Sequence, residues 1–362
     1  MLKSLHLKNF TVFADATFDF GKHLNVIVGE NGSGKSHVLK AAYVAIAVSA
    51  QRAATAPNDS PTKSYLETAI ADKLRNTFRP DELGRLARRR WGPSPCEMIY
   101  RFDQPTLDLS LRFSATAKSK VVITKLPATW VDKLPVFLPT RELLTIYPGF
   151  VSLYETSQTQ FEETWRDTSL LLGNLLARGP RESAIKALLA PLEEAMGGVV
   201  ELDKAGRFYL NLKSGRLEMH LVAEGLRKLA MIARLIATGS LLDKGYLFWD
   251  EPEANLNPKI VKAVARTILQ VAQSGIQVFI ATHSLFLLRE LYILQKQNYP
   301  NFDTRCFGLH TGSDGAVSVQ QGKTMDDIGD ITALDEDLQQ AERYLDTEMG
   351  VPLTSPSITH AE

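Results

Sequence analysis

Residues 29 to 36 combine glycine, lysine and serine at the spacing of a phosphate-binding loop. The segment consists of Gly29, Glu30, Asn31, Gly32, Ser33, Gly34, Lys35 and Ser36. Its glycines allow the backbone to curl so that successive amide N–H groups face phosphate oxygens at the start of a helix. Lys35 would reach the β- and γ-phosphates, and the Ser36 hydroxyl would occupy one position on Mg²⁺. The segment therefore predicts a site for a nucleoside triphosphate with Mg²⁺, the alternative being a chance glycine-rich turn.

The residues on either side supply the elements that such a loop needs. Residues 24–28 are apolar, partly β-branched and bounded by glycine, which predicts a buried strand. Residues 36 to about 50 are apolar and rich in alanine, without glycine or proline, which predicts a helix. A strand, a glycine-rich turn and a helix in this order form the context in which the loop binds phosphate.

Two carboxylates follow a second apolar segment, residues 246–249. We expect this segment to be a strand in the middle of the sheet, beside the phosphate-loop strand, with Asp250 and Glu251 at its carboxyl end. Ligands of open α/β sheets bind at that edge. Asp250 would hold Mg²⁺, through water, and Glu251 would orient or deprotonate the water that attacks the γ-phosphate. An Asp-Glu pair at a strand end is common, so its significance comes from the accompanying phosphate loop.

A histidine ends a third apolar segment. Residues 276–282 predict a buried strand next to the Asp250 strand, and His283 follows directly. A neutral imidazole at this edge can donate or accept one hydrogen bond at the γ-phosphate and so report the nucleotide state. The alternative is a structural histidine.

Composition excludes several classes of protein. The 362 residues include 41 Lys+Arg and 41 Asp+Glu, so the chain lacks the overall basic field of a protein that wraps nucleic acid. Its two cysteines are too few for a disulfide framework and suit a reducing compartment. The longest apolar run, residues 41–50, is too short for a bilayer span, and the first residues do not form a signal peptide. We expect a cytoplasmic protein that does not bind membranes. No Asn-Lys-x-Asp sequence occurs, which disfavours GTP and favours ATP.

The remaining pattern alternates between strands and helices. Alternating apolar residues predict antiparallel strands at 5–20, 97–123 and 199–222. Helical spacing predicts an inserted lobe at about 143–196, with a break at 179–180, and a further helix at about 225–237.

The chain is expected to divide at residue 310. A head at 1–310 is followed by a hairpin and an acidic helical segment at 311–350, and by a disordered tail at 351–362. The acidic segment could dock a basic partner, and an amphipathic helix facing solvent is the alternative.

The order of these segments resembles the ABC-type ATPase heads of the SMC/Rad50/RecF/OLD group over most of residues 1–310. The resemblance rests on the phosphate loop, the helical lobe, the strand ending at Asp250 and Glu251, His283, and a signature segment formed by Ala223, Glu224 and Gly225. It implies an α/β P-loop NTPase fold with a mixed central sheet, N-terminal antiparallel strands and an inserted helical lobe. It also implies a homodimer in which two ATP molecules lie between the phosphate loop of one copy and the signature of the other.

A narrower similarity concerns the small stand-alone AAA/ABC-type ATP-binding proteins of bacterial anti-phage defence modules. It rests on residues 223–228, 250–253 and 282–284. This resemblance implies that the ATP-bound dimer controls an effector protein, a nuclease or a toxin.

The chain departs from the family pattern at two points, and the counterpart of a third family position is undecided. Ala223 replaces the signature serine, which leaves backbone N–H groups near Gly225, and either Arg227 or Lys228, to face the partner's γ-phosphate. Asn257 stands where many relatives have aspartate. The residue that fills the family's glutamine position is undecided among Arg141, Glu142, Gln158 and Gln160. No sustained heptads separate the phosphate loop from the signature, so long coiled-coil arms are excluded.

Two other functions remain open. A RecF-like DNA-repair ATPase would use an arginine cluster as its nucleic-acid contact; the cluster comprises Arg85, Arg88, Arg89 and Arg90. In a chain without net charge, a solvated helix face or a salt-bridged partner surface is the favoured explanation of that cluster. A transporter's nucleotide-binding subunit is disfavoured by the altered signature and the strand-rich insert.

Overall fold

The structure, a computed structural model, describes residues 1–88, 94–157, 159–177, 182–242 and 244–349. Arg89, Arg90, Gln158, the expected break in the lobe at 179–180 and the expected disordered tail at 351–362 lie outside the described residues.

The strands and helices follow the predicted order closely. The strands are β1 (Leu2–Phe10), β2 (Phe13–Asp19), β3 (Leu24–Gly29), β4 (Cys96–Phe102), β5 (Leu109–Phe113), β6 (Val122–Lys125), β7 (Pro135–Leu138), β8 (Gly198–Leu202), β9 (Phe208–Leu212), β10 (Gly215–Glu218), β11 (Tyr246–Asp250), β12 (Gln277–Thr282), β13 (Thr304–Thr311) and β14 (Val317–Gly322). The helices are α1 (Lys35–Thr55), α2 (Lys63–Phe78), α3 (Tyr147–Thr156), α4 (Glu163–Leu172), α5 (Glu182–Met196), α6 (Glu224–Ala237), α7 (Pro258–Gln273), α8 (Leu285–Asn298) and α9 (Thr332–Glu348).

A six-stranded central sheet positions the phosphate loop. Its strand order is β14-β13-β3-β12-β11-β7, with all neighbouring strands parallel except the β13–β14 hairpin. Both faces of the sheet are covered, which explains why every residue of β3, β11 and β12 is buried and why most of them are apolar. The expectation that the Asp250 strand neighbours the phosphate-loop strand is wrong, because β12 lies between β11 and β3.

Helix α1 lies between the central sheet and a second, antiparallel sheet of order β2-β1-β4-β5-β6. Residues 41–50 of α1 are buried without interruption, because the helix has apolar neighbours on all sides. The Tyr100 hydroxyl of β4 donates a hydrogen bond to the Ala41 carbonyl at 3.0 Å, which ties the antiparallel sheet to this helix. The phosphate-loop helix is therefore fixed in the core.

The opposite face of the central sheet packs on α6, α7 and α8 and on the helical lobe α3–α5. A three-stranded sheet, β10-β9-β8, adjoins α5 and α6. The signature residues therefore begin a helix that is packed against the sheet carrying the phosphate loop.

The C-terminal hairpin belongs to the central sheet. Strand β13 pairs with the whole of β3, from Thr304 opposite Leu24 to Leu309 opposite Gly29. The expected boundary at residue 310 falls inside this strand. No helix among the described residues has the length and apolar character needed to cross a bilayer.

Candidate functional site

The phosphate loop connects the last residue of β3 to the first turn of α1. Gly32 and Gly34 adopt positive φ angles of 84° and 94°, a conformation that favours glycine. A Cβ atom on Gly34 would lie 2.6 Å from Val12 Cγ2 and 2.9 Å from Phe13 Cζ. The turn between β1 and β2 therefore closes over the loop, and only glycine fits beneath it.

The Lys35 ammonium lies inside this loop. It donates hydrogen bonds to the carbonyl oxygens of Gly29 at 2.8 Å and Glu30 at 2.9 Å, and the residue is 6% exposed. Burial lowers the pKa of Lys35, and the carboxylates of Glu251 and Asp250 oppose that shift. The loop thus holds a cation at the start of α1, where nucleotide phosphates would contact it.

Asp250 and Ser36 form a pair of oxygen ligands suited to Mg²⁺. Asp250 is 8% exposed, and its Oδ1 has no hydrogen-bond partner among the described residues. Burial raises the pKa of Asp250, whereas a hydrogen bond from Ser36 and the nearby charges of Lys40 and Lys35 lower it. An unpartnered, buried carboxylate oxygen beside a hydroxyl fits a hard divalent cation.

Glu251 and His283 meet because β11 and β12 run parallel and end together. Asp250 is paired with Ala281 in this ladder, and the Glu251 amide donates to the Ala281 carbonyl at 2.9 Å. The Glu251 Oε1 lies 3.3 Å from the His283 Nδ1, and both side chains are partly exposed. The carboxylate is therefore beside the imidazole at the sheet edge on which β3 also ends.

Glu253 organises the segment that carries His283. It is 9% exposed, and its Oε1 accepts hydrogen bonds from the Thr282 hydroxyl at 2.5 Å and from the His283 amide at 3.3 Å. The sequence pattern assigns Glu253 no role of its own in the site. The available signal was a third carboxylate two residues after Glu251, in a segment already expected to bind a nucleotide.

The signature segment begins α6 and contacts the loop that follows β11. Ala223 and Glu224 are exposed, and Glu224 Oε1 accepts a hydrogen bond from Asn255 Nδ2 at 3.0 Å. A Cβ on Gly225 would lie 2.7 Å from the Asn255 carbonyl oxygen and 3.1 Å from Leu256 Cδ2. Gly225 is thus required for contact within its own chain.

The two basic residues after the signature also contact their own chain, contrary to the expectation that one of them faces a partner's phosphate. Arg227 Nη1 donates to the Val222 carbonyl at 3.0 Å, and Arg227 Nε forms an ion pair, without an aligned hydrogen bond, with Glu142 Oε1 at 2.9 Å. Lys228 is 2% exposed and donates to the Glu251 carbonyl at 2.5 Å.

Among the candidates for the glutamine position, Glu142 is turned inward. Its carboxylate accepts hydrogen bonds from the Leu144 amide at 2.8 Å and the Thr145 hydroxyl at 2.7 Å, in addition to its contact with Arg227. Arg141 and Gln160 are exposed. Asn257, the other departure from the pattern, caps α7 by accepting a hydrogen bond from the Ile260 amide at 3.0 Å.

The described part of the arginine cluster does not form a continuous basic face. Arg85 is exposed. The Arg88 side chain is 10% exposed, donates to the Val12 carbonyl and lies 3.8 Å from Asp314 Oδ2. Arg88 therefore supports the turn that covers the phosphate loop.

Two family models match the sequence. One, described as "AAA domain, putative AbiEii toxin, Type IV TA system", matches residues 127–289, and the other, described as "AAA domain", matches residues 4–69. The chain is also 45% identical over 42 residues to the DNA replication and repair protein RecF of Pediococcus pentosaceus. That match covers 12% of this chain and 11% of the relative.

Solved structures of SMC heads share the fold. An SMC head bound to the C-winged helix domain of ScpA gives a TM-score of 0.57 at 14% identity, over 90% of this chain and 98% of that chain. The SMC head domain of Thermotoga maritima gives a TM-score of 0.50 at 14% identity, over 88% of this chain and 97% of that chain. An SMC head with an extended coiled coil, bound to the C-terminal domain of ScpA from Pyrococcus furiosus, gives 0.53 at 13% identity, over 95% and 99%.

Proposed function

We propose that this chain, an SMC/Rad50/RecF-like ABC-type ATPase by sequence and fold, binds ATP with Mg²⁺, hydrolyses it in a homodimer and uses that cycle to control an effector protein. The observation that carries the proposal is the meeting of three strand ends. β3 leads into the phosphate loop, β12 into His283 and β11 into Asp250 and Glu251, and the three strands are adjacent, parallel and in register.

Binding would use the backbone of the phosphate loop. The amide N–H groups from Gly32 to Ser36 and the Lys35 ammonium would contact the phosphates of ATP. Ser36 and Asp250 would hold Mg²⁺, which when bound neutralises charge on the β- and γ-phosphate oxygens.

Hydrolysis would require a base beside the γ-phosphate. Glu251 would accept a proton from water as the water oxygen bonds to the γ-phosphorus and the bond from that phosphorus to the ADP oxygen breaks. His283, 3.3 Å from Glu251, would donate or accept one hydrogen bond at the γ-phosphate. Glu253 would hold the backbone of His283 at this position through its amide contact.

Dimerisation would complete the site from the side that the phosphate loop leaves open. Ala223 and Glu224 are exposed at the amino end of α6, where the helix dipole favours an anion. This supports a sandwich in which the amino end of α6 faces the γ-phosphate bound by a second copy.

Control of an effector is supported by the family description, which names a toxin and a type IV TA system. We place this role in bacterial anti-phage defence, in the cytoplasm, with a nuclease or toxin as the partner. Helix α9 offers a docking surface, because it combines exposed apolar side chains with an excess of acidic ones and so suits a basic partner. The exposed apolar residues are Leu338, Tyr344 and Leu345 in the helix and Met349 directly after it, and the acidic ones include Glu336, Glu342 and Glu348.

A RecF-like role in DNA repair is the second candidate, which the short RecF match favours. The arginine cluster gives this role less support, because Arg88 contacts the Val12 carbonyl and Asp314 within the chain.

The decisive experiment measures phosphate release and molar mass on the purified protein. We expect ATP hydrolysis that stops when EDTA removes Mg²⁺, together with a dimer that light scattering detects only with ATP. Absence of both ATP binding and hydrolysis would overturn the proposal.

The partner is tested separately with the product of the adjacent gene. We expect it to co-purify with wild type and to be lost with Leu345→Glu, while the exposed α7 variant Lys262→Glu retains it. A permease beside this gene, or DNA binding that survives at high salt, would favour transport or repair instead.

A further inference from the structure

Lys228 is a buried lysine for which the ATPase mechanism above has no role. It lies on α6 and is 2% exposed. Lysine is rarely buried so completely unless its ammonium is paired. Its Nζ donates a hydrogen bond to the carbonyl oxygen of Glu251 at 2.5 Å. The signature helix is thereby joined directly to the residue proposed as the general base.

The backbone of Glu251 needs such support. Its φ angle is +46°, in the left-handed region that non-glycine residues rarely adopt. Its amide donates to the Ala281 carbonyl, and its carbonyl accepts from the Ala254 amide at 3.1 Å as well as from Lys228. Both lone pairs of the Glu251 carbonyl are therefore occupied, and of these three contacts only the one from Lys228 comes from a helix.

Nearby carboxylates favour the charged form of Lys228 against the effect of its burial. Burial lowers the pKa of Lys228 to about 8, and the carboxylates of Glu253, Glu251 and Asp250 oppose the shift. Glu253 Oε2 is also buried and has no hydrogen-bond partner among the described residues. The ammonium thus faces a group of acids, where a charge-assisted hydrogen bond to a carbonyl is favourable.

The position of Lys228 on α6 links this contact to the signature segment. Lys228 follows the signature glycine Gly225 by three residues, or about 4.5 Å along a helix. A rigid helix transmits a shift of its first turn to the next one. Arg227, one residue earlier, joins the same helix to Glu142 after β7.

We propose that Lys228 is a positioning residue that holds Glu251 in its left-handed conformation and thereby makes the aim of the general base depend on where the signature helix sits. The inference rests on the proposed ATPase function and deepens it. When a second copy contacts the signature and shifts α6, Lys228 would pass that shift to Glu251 of the same chain.

The test compares variants that keep or remove the ammonium. Lys228→Met keeps most of the length of the side chain and removes its charge, and Lys228→Arg keeps a charged donor. The matched control is Lys73→Met, because Lys73 is 6% exposed and pairs with Glu163 and Asp167, away from Glu251. We expect Lys228→Met to lower kcat by about 10- to 100-fold while the Kd for ATP changes less than about threefold. Lys228→Arg should recover part of kcat, and Lys73→Met should lose stability but keep kcat.

A double-mutant cycle with Glu251→Gln makes the result specific. If Lys228 acts through Glu251, adding Lys228→Met to Glu251→Gln should change kcat little further. Independent, multiplying losses would overturn the inference, as would a Lys228→Met enzyme with wild-type kcat.

A crystal structure of Lys228→Met provides a readout that does not depend on activity. We expect Glu251 to leave the left-handed region and its carboxylate to leave His283. A Glu251 unchanged in this variant overturns the positioning role even if the ATPase function stands, whereas a wild-type protein that neither binds nor hydrolyses ATP overturns the proposed function itself.

Discussion

The phosphate loop and the signature segment are the two expected halves of one ATP site, yet they are held in place differently. Lys35 is bonded to carbonyl oxygens of its own loop, five and six residues away in sequence. Glu224 and Gly225 instead contact Asn255, which is 31 and 30 residues away in sequence (255 − 224 and 255 − 225). Lys228 contacts Glu251, which is 23 residues away (251 − 228). A self-contained site can be recognised in contiguous sequence, whereas a site built from distant segments cannot.

The largest expected effect removes the self-contained half. Lys35→Ala takes away the cation nearest the β- and γ-phosphates, and we expect ATP binding and hydrolysis to be abolished. Calorimetric titration with ATP and a phosphate-release assay measure the two losses. The control is Lys262→Ala, an exposed lysine on α7. Wild-type hydrolysis by a folded Lys35→Ala protein would show that the phosphate loop is not the nucleotide site.

The next largest expected effect separates ATP hydrolysis from dimerisation. Glu251→Gln removes the proposed base but keeps its shape, so we expect hydrolysis to fall by about 10²-fold or more while ATP binding persists. The ATP-bound dimer should then accumulate, which size-exclusion chromatography with light scattering detects. The exposed Glu194→Gln serves as the matched control. Unchanged turnover would assign the base to Glu253 or His283.

The strands that carry the site show how much of the fold the sequence could predict. The apolar strands before Gly29, Asp250 and His283 were predicted in type and position, because burial on both faces leaves a clear apolar run. The order of the strands was not, since the sequence predicted β11 beside β3 and the structure has β12 between them. Register along a strand is local information, but the order of parallel strands depends on how the crossover helices pack.

The inward contacts of the signature region were also beyond the sequence. Arg227, Lys228 and Glu142 each carry a charge that is typical of a surface, and their spacing gives no sign of burial. Only the packing of α6 on the loop after β11 reveals that Arg227 pairs with Glu142 and that Lys228 lies under Glu251. The sequence predicted that Arg227 or Lys228 faces a partner's phosphate, because the family pattern describes contacts between two copies. That pattern does not describe contacts of these residues within one chain.

A third variant tests whether the signature glycine serves its own chain, a partner or both. In Gly225→Asp the new side chain would overlap the Asn255 carbonyl, and its negative charge would oppose a phosphate. We expect a loss of about 1–3 kcal/mol in the free energy of unfolding from overpacking, and loss of the ATP-dependent dimer. Denaturant unfolding and light scattering measure these separately.

The control for this variant is Glu224→Ala, which removes the hydrogen bond to Asn255 without adding bulk. It should unfold close to wild type and still dimerise. A Gly225→Asp protein that is destabilised but dimerises normally would restrict Gly225 to a role within its own chain and would contradict the sandwich.

The smallest expected effect is a gain, and it addresses the open half of the site most directly. Ala223 is exposed and precedes α6, at the position where the family pattern has a serine. Ala223→Ser adds a hydroxyl at the amino end of α6 without displacing a buried group, so the monomer should keep its stability. If the partner's γ-phosphate lies there, the hydroxyl would donate one more hydrogen bond, worth about 0.5–1.5 kcal/mol. That corresponds to a rise of about two- to tenfold per site, and therefore of about four- to a hundredfold in the affinity of the ATP-bound dimer, which has two such sites. Light scattering of Glu251→Gln with and without Ala223→Ser measures this change. The comparison in this background removes any effect on hydrolysis, and Ala223→Val controls for added volume. An unchanged dimer affinity with Ala223→Ser would mean that the amino end of α6 does not meet phosphate, leaving its bonds to Asn255 and Glu251 as its whole role.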